Sequence, residues 1–172
     1  SFEEAWGLTI KYTNQALELN GQSSGVHYQL SNQAFFIECD YGKSLKEMQK
    51  AIEINPNNAK AHEFISFLYI IAEKRDKSRD HLEIALSLNP LSEETHFFKA
   101  YYHYMIEDYP RSLELLDKCL SANDKNIPAH SIKPLCLLKL GRFDLVINYF
   151  DNIPADVVIL GEKTGAIGLA YE

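Results

Sequence analysis

Hydrophobic and polar positions recur along this chain with a 34-residue period. One position of the period holds large apolar side chains and another holds small serines, and the two sets are Met48, Leu82, Leu116 and Phe150, and Ser44, Ser78 and Ser112. Chance does not keep such a register, so the chain is predicted to be a repeat protein. The predicted units begin, without insertion, at Gly25, Ala59, Glu93, Ile127 and Gly161.

Each unit is predicted to form two helices joined by a tight turn. In the first unit, the i, i+3, i+4, i+7 spacing of one helix face occurs twice, at Tyr28, Ser31, Asn32 and Phe35 and again at Ser44, Met48, Ala51 and Ile52. The turn is predicted at residues 39–42, and Pro56 is predicted to end the second helix because it biases Asn55 away from helical geometry. The small Ser44 position indicates close approach of the two helices.

The sequence resembles the tetratricopeptide repeat (TPR) family on several segments. Residues 50–62 and 84–96 match the family's joint between hairpins, residues 141–144 match its turn, and Ile167-Gly168 with Tyr171 matches its Leu-Gly and Tyr pattern. The resemblance implies an all-α, right-handed α-solenoid of antiparallel helix hairpins with a 34-residue period. It covers nearly the whole chain and is specific for the fold, whereas TPR folds serve many functions.

The resemblance implies one solenoid over residues 1–172. It would contain the second helix of a truncated unit at 4–20, four full units at 25–58, 59–92, 93–126 and 127–160, and the first helix of another truncated unit at 161–172. Residues 4–20 match the later second helices only if the 34-residue period is shifted by one residue. We expect this slip between Gly21 and Ser24. Since both ends fall within a unit, we expect the sequence to be a fragment of a longer protein.

The fourth unit departs from the pattern. Pro134 falls inside its first helix, where it removes a backbone hydrogen bond and crowds the carbonyl of His130, so we expect a kink or a late helix start. The apolar run at 157–160 replaces the usual polar linker. Either a helix begins near Asp156 or this run packs as an apolar plug. In the third unit, Asp108 is expected to cap a helix that carries Pro110 in its first turn.

Charge and cysteine content restrict the classes of function. The net charge is −7, from 24 acidic and 17 basic residues without a basic run, which disfavours direct nucleic-acid binding. No apolar run approaches the roughly 20 residues of a membrane-spanning helix. The three cysteines, Cys39, Cys119 and Cys136, have unrelated spacings that suit reduced core thiols. These features favour a cytoplasmic protein, although targeting signals would be missing from a fragment.

Three segments resemble catalytic, metal-binding or phosphate-binding motifs, but each lacks a feature that the motif requires. Residues 21–25 match G-x-S-x-G but follow a helix rather than a strand, Ser66 replaces the second histidine of a zincin helix at His62, and residues 161–165 lack the order of a phosphate loop. His62, His96 and His130 share one position of the 34-residue period. They could form a metal-binding or pH-sensing row, but packed, hydrogen-bonded histidines are favoured. We predict no catalysis, no cofactor and no metal.

The remaining candidate site is the inner face that the resemblance implies for the first helix of every unit. TPR clamps for carboxylates use lysine, arginine and asparagine there, and this chain offers other residues, so such a clamp is disfavoured. Aromatic and aliphatic side chains favour a hydrophobic peptide or an amphipathic helix. Alternatively, the rings pack between helices, or other parts of the same chain fill the groove. The groove residues are Gln29, Gln33, Phe36, Glu63, Phe67, Ile70, Phe97, Tyr101, Tyr104, Ser131, Leu135 and Leu138.

These features predict a non-catalytic scaffold for protein–protein interaction. An alternative is a sensory or regulatory segment, because residues 88–96 are similar to TPR segments of bacterial one-component regulators used in signal transduction and transcription. Its output domain would lie outside this chain. End-to-end self-association is also expected, since uncovered apolar faces at solenoid ends favour it.

Overall fold

The computed structural model describes residues 2–154, which form nine α-helices and no strand. No helix in this range is long and apolar enough to cross a membrane. The helices are α1 (Phe2–Leu19), α2 (Ser24–Phe36), α3 (Tyr41–Ile54), α4 (Ala59–Ile71), α5 (Arg75–Leu88), α6 (Glu93–Met105), α7 (Tyr109–Ala122), α8 (Ile127–Lys139) and α9 (Phe143–Asn152). The prediction of an all-α helical-repeat fold is confirmed.

The helices from α2 onwards pack as hairpins, each joined by a short loop. We call α2, α4, α6 and α8 the A helices and α3, α5, α7 and α9 the B helices. The hairpins belong to two compact units, the first ending at Pro90 and the second beginning at Leu91. Unit 1 contains α1 to α5, and the described part of unit 2 contains α6 to α9. The predicted features at 155–172, including the apolar run at 157–160, lie outside the described residues.

The B helices keep the 34-residue register throughout, but α2 does not. The A helices begin at Ser24, Ala59, Glu93 and Ile127, so the first step is one residue longer than the two that follow. The additional residue lies in the loop between α2 and α3, which has four residues where each later hairpin has three. The slip expected between Gly21 and Ser24 is therefore wrong in its position. The loop between α1 and α2 matches the loop between α3 and α4. In the first the Asn20 amide donates to the Ala16 carbonyl, and in the second the Asn55 amide donates to the Ala51 carbonyl.

Local signals set most helix ends. The Asp108 side chain accepts a hydrogen bond from the Arg111 amide, with Pro110 in the first turn of α7, as predicted. Helix α3 ends at Ile54, and Asn55 before Pro56 is extended, also as predicted. The loop within each hairpin contains one residue of positive φ. These residues are Cys39, Glu73, Glu107 and Gly141.

Small side chains allow the A and B helices of a hairpin to approach closely. Ser31 of α2 and Ser44 of α3 are fully buried, with their hydroxyl oxygens 2.9 Å apart. In the third hairpin, the Ser112 hydroxyl donates to the Ala100 carbonyl at 2.8 Å. The buried residues beside these contacts include Met48, whose side chain is completely enclosed in the unit 1 core. The predicted packing role of the serine position is therefore confirmed.

Two expectations about single residues need correction. Helix α8 begins at Ile127 and continues through Pro134, so the alternative of a late helix start is wrong. Pro134 is fully buried at the A-helix position that Ser31, Ser66 and Ala100 occupy in the other hairpins. Cys119 and Cys136 are buried thiols as expected, but Cys39 is exposed because it lies in the loop after α2.

Candidate functional site

The predicted groove residues of unit 1 differ widely in exposure. Phe36 is 55% exposed and Gln29 is also exposed, whereas Glu63 and Ile70 are each only 3% exposed. Phe67 is half-buried. Because the step from α2 to α4 is one residue longer than the later steps, the predicted positions on α2 lie one residue out of register with those on α4. The unit 1 residues therefore do not form one evenly exposed row.

Aromatic rings on α2 and α4 form a connected cluster in unit 1. The Phe35 ring contacts Phe67 with 5.4 Å between centroids and Phe64 with 5.9 Å. Phe36 joins the cluster through Phe35 at 5.0 Å and reaches Trp6 of α1 at 6.2 Å. Edge-to-face pairs of this kind stabilise packing beyond simple burial. Much of the aromatic content of unit 1 therefore serves the packing of helices.

Gln33 is held within its own hairpin rather than displayed. Its side-chain amide donates to the Glu38 carboxylate at 2.9 Å, and its carbonyl oxygen is buried without a hydrogen-bond partner. Lys43 donates to the same carboxylate, and these two hydrogen bonds hold the pKa of Glu38 below its ordinary value. Gln33 therefore helps to orient the acidic residue of the α2–α3 loop.

The predicted groove residues of unit 2 share a similar, intermediate exposure. On α6, the Phe97 and Tyr101 rings stack at 6.3 Å, and Tyr101 lies 6.2 Å from Tyr104. We call these three residues the α6 ring row. On the adjacent α8, Ser131, Leu135 and Leu138 are likewise half-buried. Burial raises the pKa of both Tyr101 and Tyr104, so both remain neutral phenols at physiological pH.

An acidic rim lies beside the α6 ring row. Glu93, Glu94 and Phe97 line a depression of about 400 Å³ together with Lys125 and the exposed side chain of Ile127, so two carboxylates face one amine there. The Glu93 carboxylate accepts a hydrogen bond from the Asn123 side chain at 3.1 Å. The rim thus combines carboxylates with apolar surface next to the first ring of the row.

Histidines occupy the fourth position of every A helix, and three of them are buried. Nε2 of His27, His62 and His130 contacts the carbonyl oxygen six residues earlier, at 3.0, 3.0 and 2.7 Å. Nδ1 contacts a side chain of the paired B helix, and these partners are Glu47, His81 and Tyr149. His96 is exposed, and Leu115 stands at the corresponding B-helix position. The favoured prediction of packed, hydrogen-bonded histidines therefore holds for His62 and His130.

Each of these histidines closes a joint between successive hairpins. Since a carbonyl oxygen only accepts, the Nε2 atom of His62 carries the proton and its Nδ1 accepts from His81 when both rings are neutral. Burial, reinforced by the His62 ring, lowers the pKa of His81 from 6.5 to about 4. No group of three side chains suited to a metal ion occurs among residues 2–154.

Comparison with known proteins identifies the fold. No family model matches the sequence, and no curated protein matches it. Among solved structures, a thermophilic TPR protein of Thermus thermophilus is 15% identical over 98% of this chain and 94% of its own, with a TM-score of 0.79. A TPR protein of Parabacteroides merdae is 14% identical over 98% of this chain and 68% of its own, with a TM-score of 0.80.

This chain has a TPR-like helical-repeat fold. The TPR protein YrrB, described as having an unusual peptide-binding site, is another similar structure. It is 18% identical over 92% of this chain and 81% of its own, with a TM-score of 0.62. At these identities the likeness concerns the TPR-like fold alone.

Sequence reasoning missed two features of the TPR-like hairpins. His27 belongs to the histidine row, but the one-residue shift in α2 hid it from a strict 34-residue comparison. The second feature is a network on α7, α8 and α9, where Lys133 of α8 lies 4.9 Å from the Tyr149 ring centroid and 2.7 Å from the Asp117 carboxylate of α7. A search for polar residues 19 positions after each histidine would have found Tyr149 and His81.

Proposed function

We propose that this chain is a non-catalytic scaffold that binds a hydrophobic peptide or an amphipathic helix on the face formed by α6 and α8. The observation that carries the proposal is the α6 ring row, whose three stacked or tilted rings remain partly exposed along one helix face. Rings in such positions are typical binding anchors because they bury much area with little loss of conformational entropy.

The neighbouring helix supplies the other wall of this face. Leu135 and Leu138 of α8 are half-buried beside α6, and Ser131 adds a hydroxyl group near the N-terminal end. Apolar residues at i, i+3 and i+4 of a bound helix would contact such a surface. The peptide-binding site named for YrrB supports this class of function in a protein of similar fold. Unit 1 contributes Phe67 and Phe36 as a separate and less regular apolar surface.

The acidic rim supports a preference among peptides. Glu93 and Glu94 lie beside Phe97 and outnumber the one lysine of the rim, Lys125, and the whole chain has a net charge of −7. A peptide whose apolar residues are followed by lysine or arginine would place its positive charge at this rim. We therefore expect selected ligands to be hydrophobic and basic rather than hydrophobic and acidic.

The test is selection of peptides from a random library on the intact chain, followed by affinity measurements by calorimetry. Tyr101→Ala should weaken binding of the selected peptides by about 2 kcal/mol, or roughly thirtyfold, because it removes a central anchor. The matched control is Tyr102→Ala, which removes the adjacent ring, one that packs edge-on against His103. Equal losses for both variants, with helicity retained, would refute binding on the α6 ring row.

The regulatory-segment alternative stays a prediction from residues 88–96. The sequence of any output domain joined to this chain would test it, since a DNA-binding or catalytic domain in the same reading frame is required. The absence of such a domain would leave the scaffold as an independent protein.

A further inference from the structure

A pocket outside the proposed peptide-binding face lies among α7, α8 and α9 of unit 2, and we call it the α7–α9 pocket. It has a volume of about 500 Å³, which is in the usual range of small-molecule sites. Its lining combines the buried side chains of Leu113 and Leu137, which are 7% and 5% exposed, with charged side chains. The charged residues are Glu114, Asp117, Lys133 and Arg142. Such a combination is typical of sites that fix the orientation of a small ligand.

The three helices around this pocket have direct counterparts in unit 1. Helices α3, α4 and α5 begin 68 residues, or two repeat periods, before α7, α8 and α9 respectively. The residues of the two sets therefore correspond one to one. Each lining position of the α7–α9 pocket thus has a counterpart 68 residues earlier in the same chain.

The ring of Tyr69 fills the corresponding place in unit 1. Tyr69 is 5% exposed, and its ring stacks on His81 with 5.5 Å between centroids. Its hydroxyl accepts a hydrogen bond from the Gln49 side-chain amide at 3.3 Å, and the Lys77 amine lies 5.5 Å from its ring centroid. The pocket residues that correspond to these three neighbours are Tyr149, Asp117 and Leu145.

Leu137 replaces Tyr69 at the equivalent position of unit 2. Leucine has no ring to extend between Asp117 and Tyr149, so space remains where the Tyr69 ring lies in unit 1. An aromatic ring of a ligand would fill this space and stack on Tyr149, as Tyr69 stacks on His81. The comparison within the chain therefore indicates an aromatic ring as the apolar part of the ligand.

The charges around the pocket indicate that the ligand is an acid. The Lys133 amine lies 2.7 Å from the Asp117 carboxylate, and the Lys118 amine lies 2.7 Å from the Glu114 carboxylate. Both carboxylates of the lining therefore already have a cationic partner. Arg142 is exposed, and its guanidinium forms no ion pair with any residue of 2–154. A negatively charged ligand group would complement it.

The backbone fixes Arg142 beside Leu137. The Arg142 amide donates to the Leu137 carbonyl at 2.9 Å, as the Lys74 amide donates to the Tyr69 carbonyl in unit 1. A guanidinium binds a carboxylate through two parallel N–H groups. A ligand whose ring and carboxylate are joined by a short chain would thus contact Leu137 and Arg142 together.

We propose that the α7–α9 pocket binds a small aromatic carboxylic acid, with its ring against Leu137 and Tyr149 and its carboxylate on the Arg142 guanidinium. The ring takes the place that Tyr69 fills in unit 1. The acid supplies the counter-charge that Arg142 lacks in the described part of the chain. The site shares no residue with the proposed peptide-binding face, so either proposal can fail without the other.

NMR titration of the intact chain with 3-phenylpropionate tests this site. Amide resonances of pocket residues should shift saturably. The neutral analogue 3-phenylpropionamide has the same shape and should bind at least about tenfold more weakly, because it lacks the charge that Arg142 complements. Arg142→Gln should remove this preference, so that acid and amide bind alike. The matched control is Lys139→Gln, which removes the same charge at an exposed position of α8 that does not line the pocket, and it should keep the preference.

A second variant tests the position of the ligand ring. Leu137→Tyr introduces the side chain that unit 1 carries at this position, so it should fill the pocket and abolish binding of both the acid and the amide. Arg142→Gln tests the proposal even if Leu137→Tyr folds poorly, because Arg142 is exposed. Equal affinity of the unmodified chain for acid and amide, an unchanged preference in Arg142→Gln, or the lack of any saturable shift would overturn the proposal.

Discussion

Individual side chains close the joints between the hairpins of this protein. The buried histidines of the A helices each connect a backbone carbonyl, six residues earlier, to a side chain of the paired B helix. The identity of that B-helix side chain varies among carboxylate, imidazole and phenol, while the histidine stays. The small serine at another B-helix position, as at Ser44 and Ser112, permits the two helices of a hairpin to pack closely. These positions explain much of the repeat without any catalytic or metal-binding role.

The pair formed by His62 and His81 predicts a pH dependence of stability. The folded-state pKa of His81 is about 4, below its ordinary value of 6.5, because burial and the His62 ring disfavour its charged form. Between these values the unfolded chain binds a proton that the folded chain does not. Stability should therefore fall as pH decreases from 6.5 to 4, by about 1–2 kcal/mol after allowance for partial exposure.

Chemical denaturation at several pH values measures this effect. In His81→Gln the amide can still donate to His62, but it does not titrate, so the part of the decline that is due to His81 should disappear. Carboxylates that titrate in the same range affect both proteins equally. An unchanged decline in His81→Gln would exclude His81 as its source.

At the scale of the element, the hairpin loops and one proline modify an otherwise constant helix pair. The four-residue loop after α2 shifts that helix by one residue relative to the later A helices. Pro134 occupies the buried position where the other A helices carry Ser31, Ser66 and Ala100. Helix α8 tolerates the proline over Ile127–Lys139, although its nitrogen cannot donate to the carbonyl of His130.

Replacement of Pro134 by alanine should stabilise unit 2. Alanine restores the missing backbone hydrogen bond and fits a position that already holds alanine in α6. The gain should be about 1–2 kcal/mol, which is less than the full cost of an interior proline because the ring also loses buried contacts. Thermal and chemical denaturation measure it. The control is Pro128→Ala in the first turn of α8, where proline is favourable, and this variant should show no gain.

At the scale of the whole molecule, charge and composition set the class of partner. Acidic residues outnumber basic ones by 24 to 17, and the densest group of basic residues, at 74–79, is interrupted by Asp76, with which Arg79 pairs at 3.1 Å. Several of them are engaged with carboxylates, as in the pairs of Lys43 with Glu38 and Lys133 with Asp117. Proteins that bind nucleic acid through its backbone need a concentrated positive surface.

The protein should therefore leave the electrophoretic mobility of duplex DNA unchanged. The measurement belongs at low ionic strength, where electrostatic binding is strongest. A histone-like basic protein at equal concentration serves as the positive control. A salt-sensitive shift of the duplex by this chain would contradict the prediction.

The residues predicted to line an inner face show why a binding site is harder to predict than a fold. Phe97, Tyr101 and Tyr104 have regular spacing on one helix, but Phe98 and Tyr102 on the same helix have the same intermediate exposure. Glu63 and Ile70 occupy equivalent sequence positions but are buried, because burial depends on the neighbouring surfaces as well as on helical phase. Gln33 is likewise engaged by Glu38, a residue of the following loop whose position depends on the local turn.

The amino-acid pattern alone predicted the helix pairs, their period, several helix ends and the small residues at which paired helices meet. Those features depend on local geometry, since helical spacing, capping residues and proline act over a few neighbours. Packing in three dimensions set the buried state of Glu63 and Ile70 and the partners of the histidines. These features depend on contacts between residues far apart in sequence, which a 34-residue pattern relates by phase but does not bring together in space.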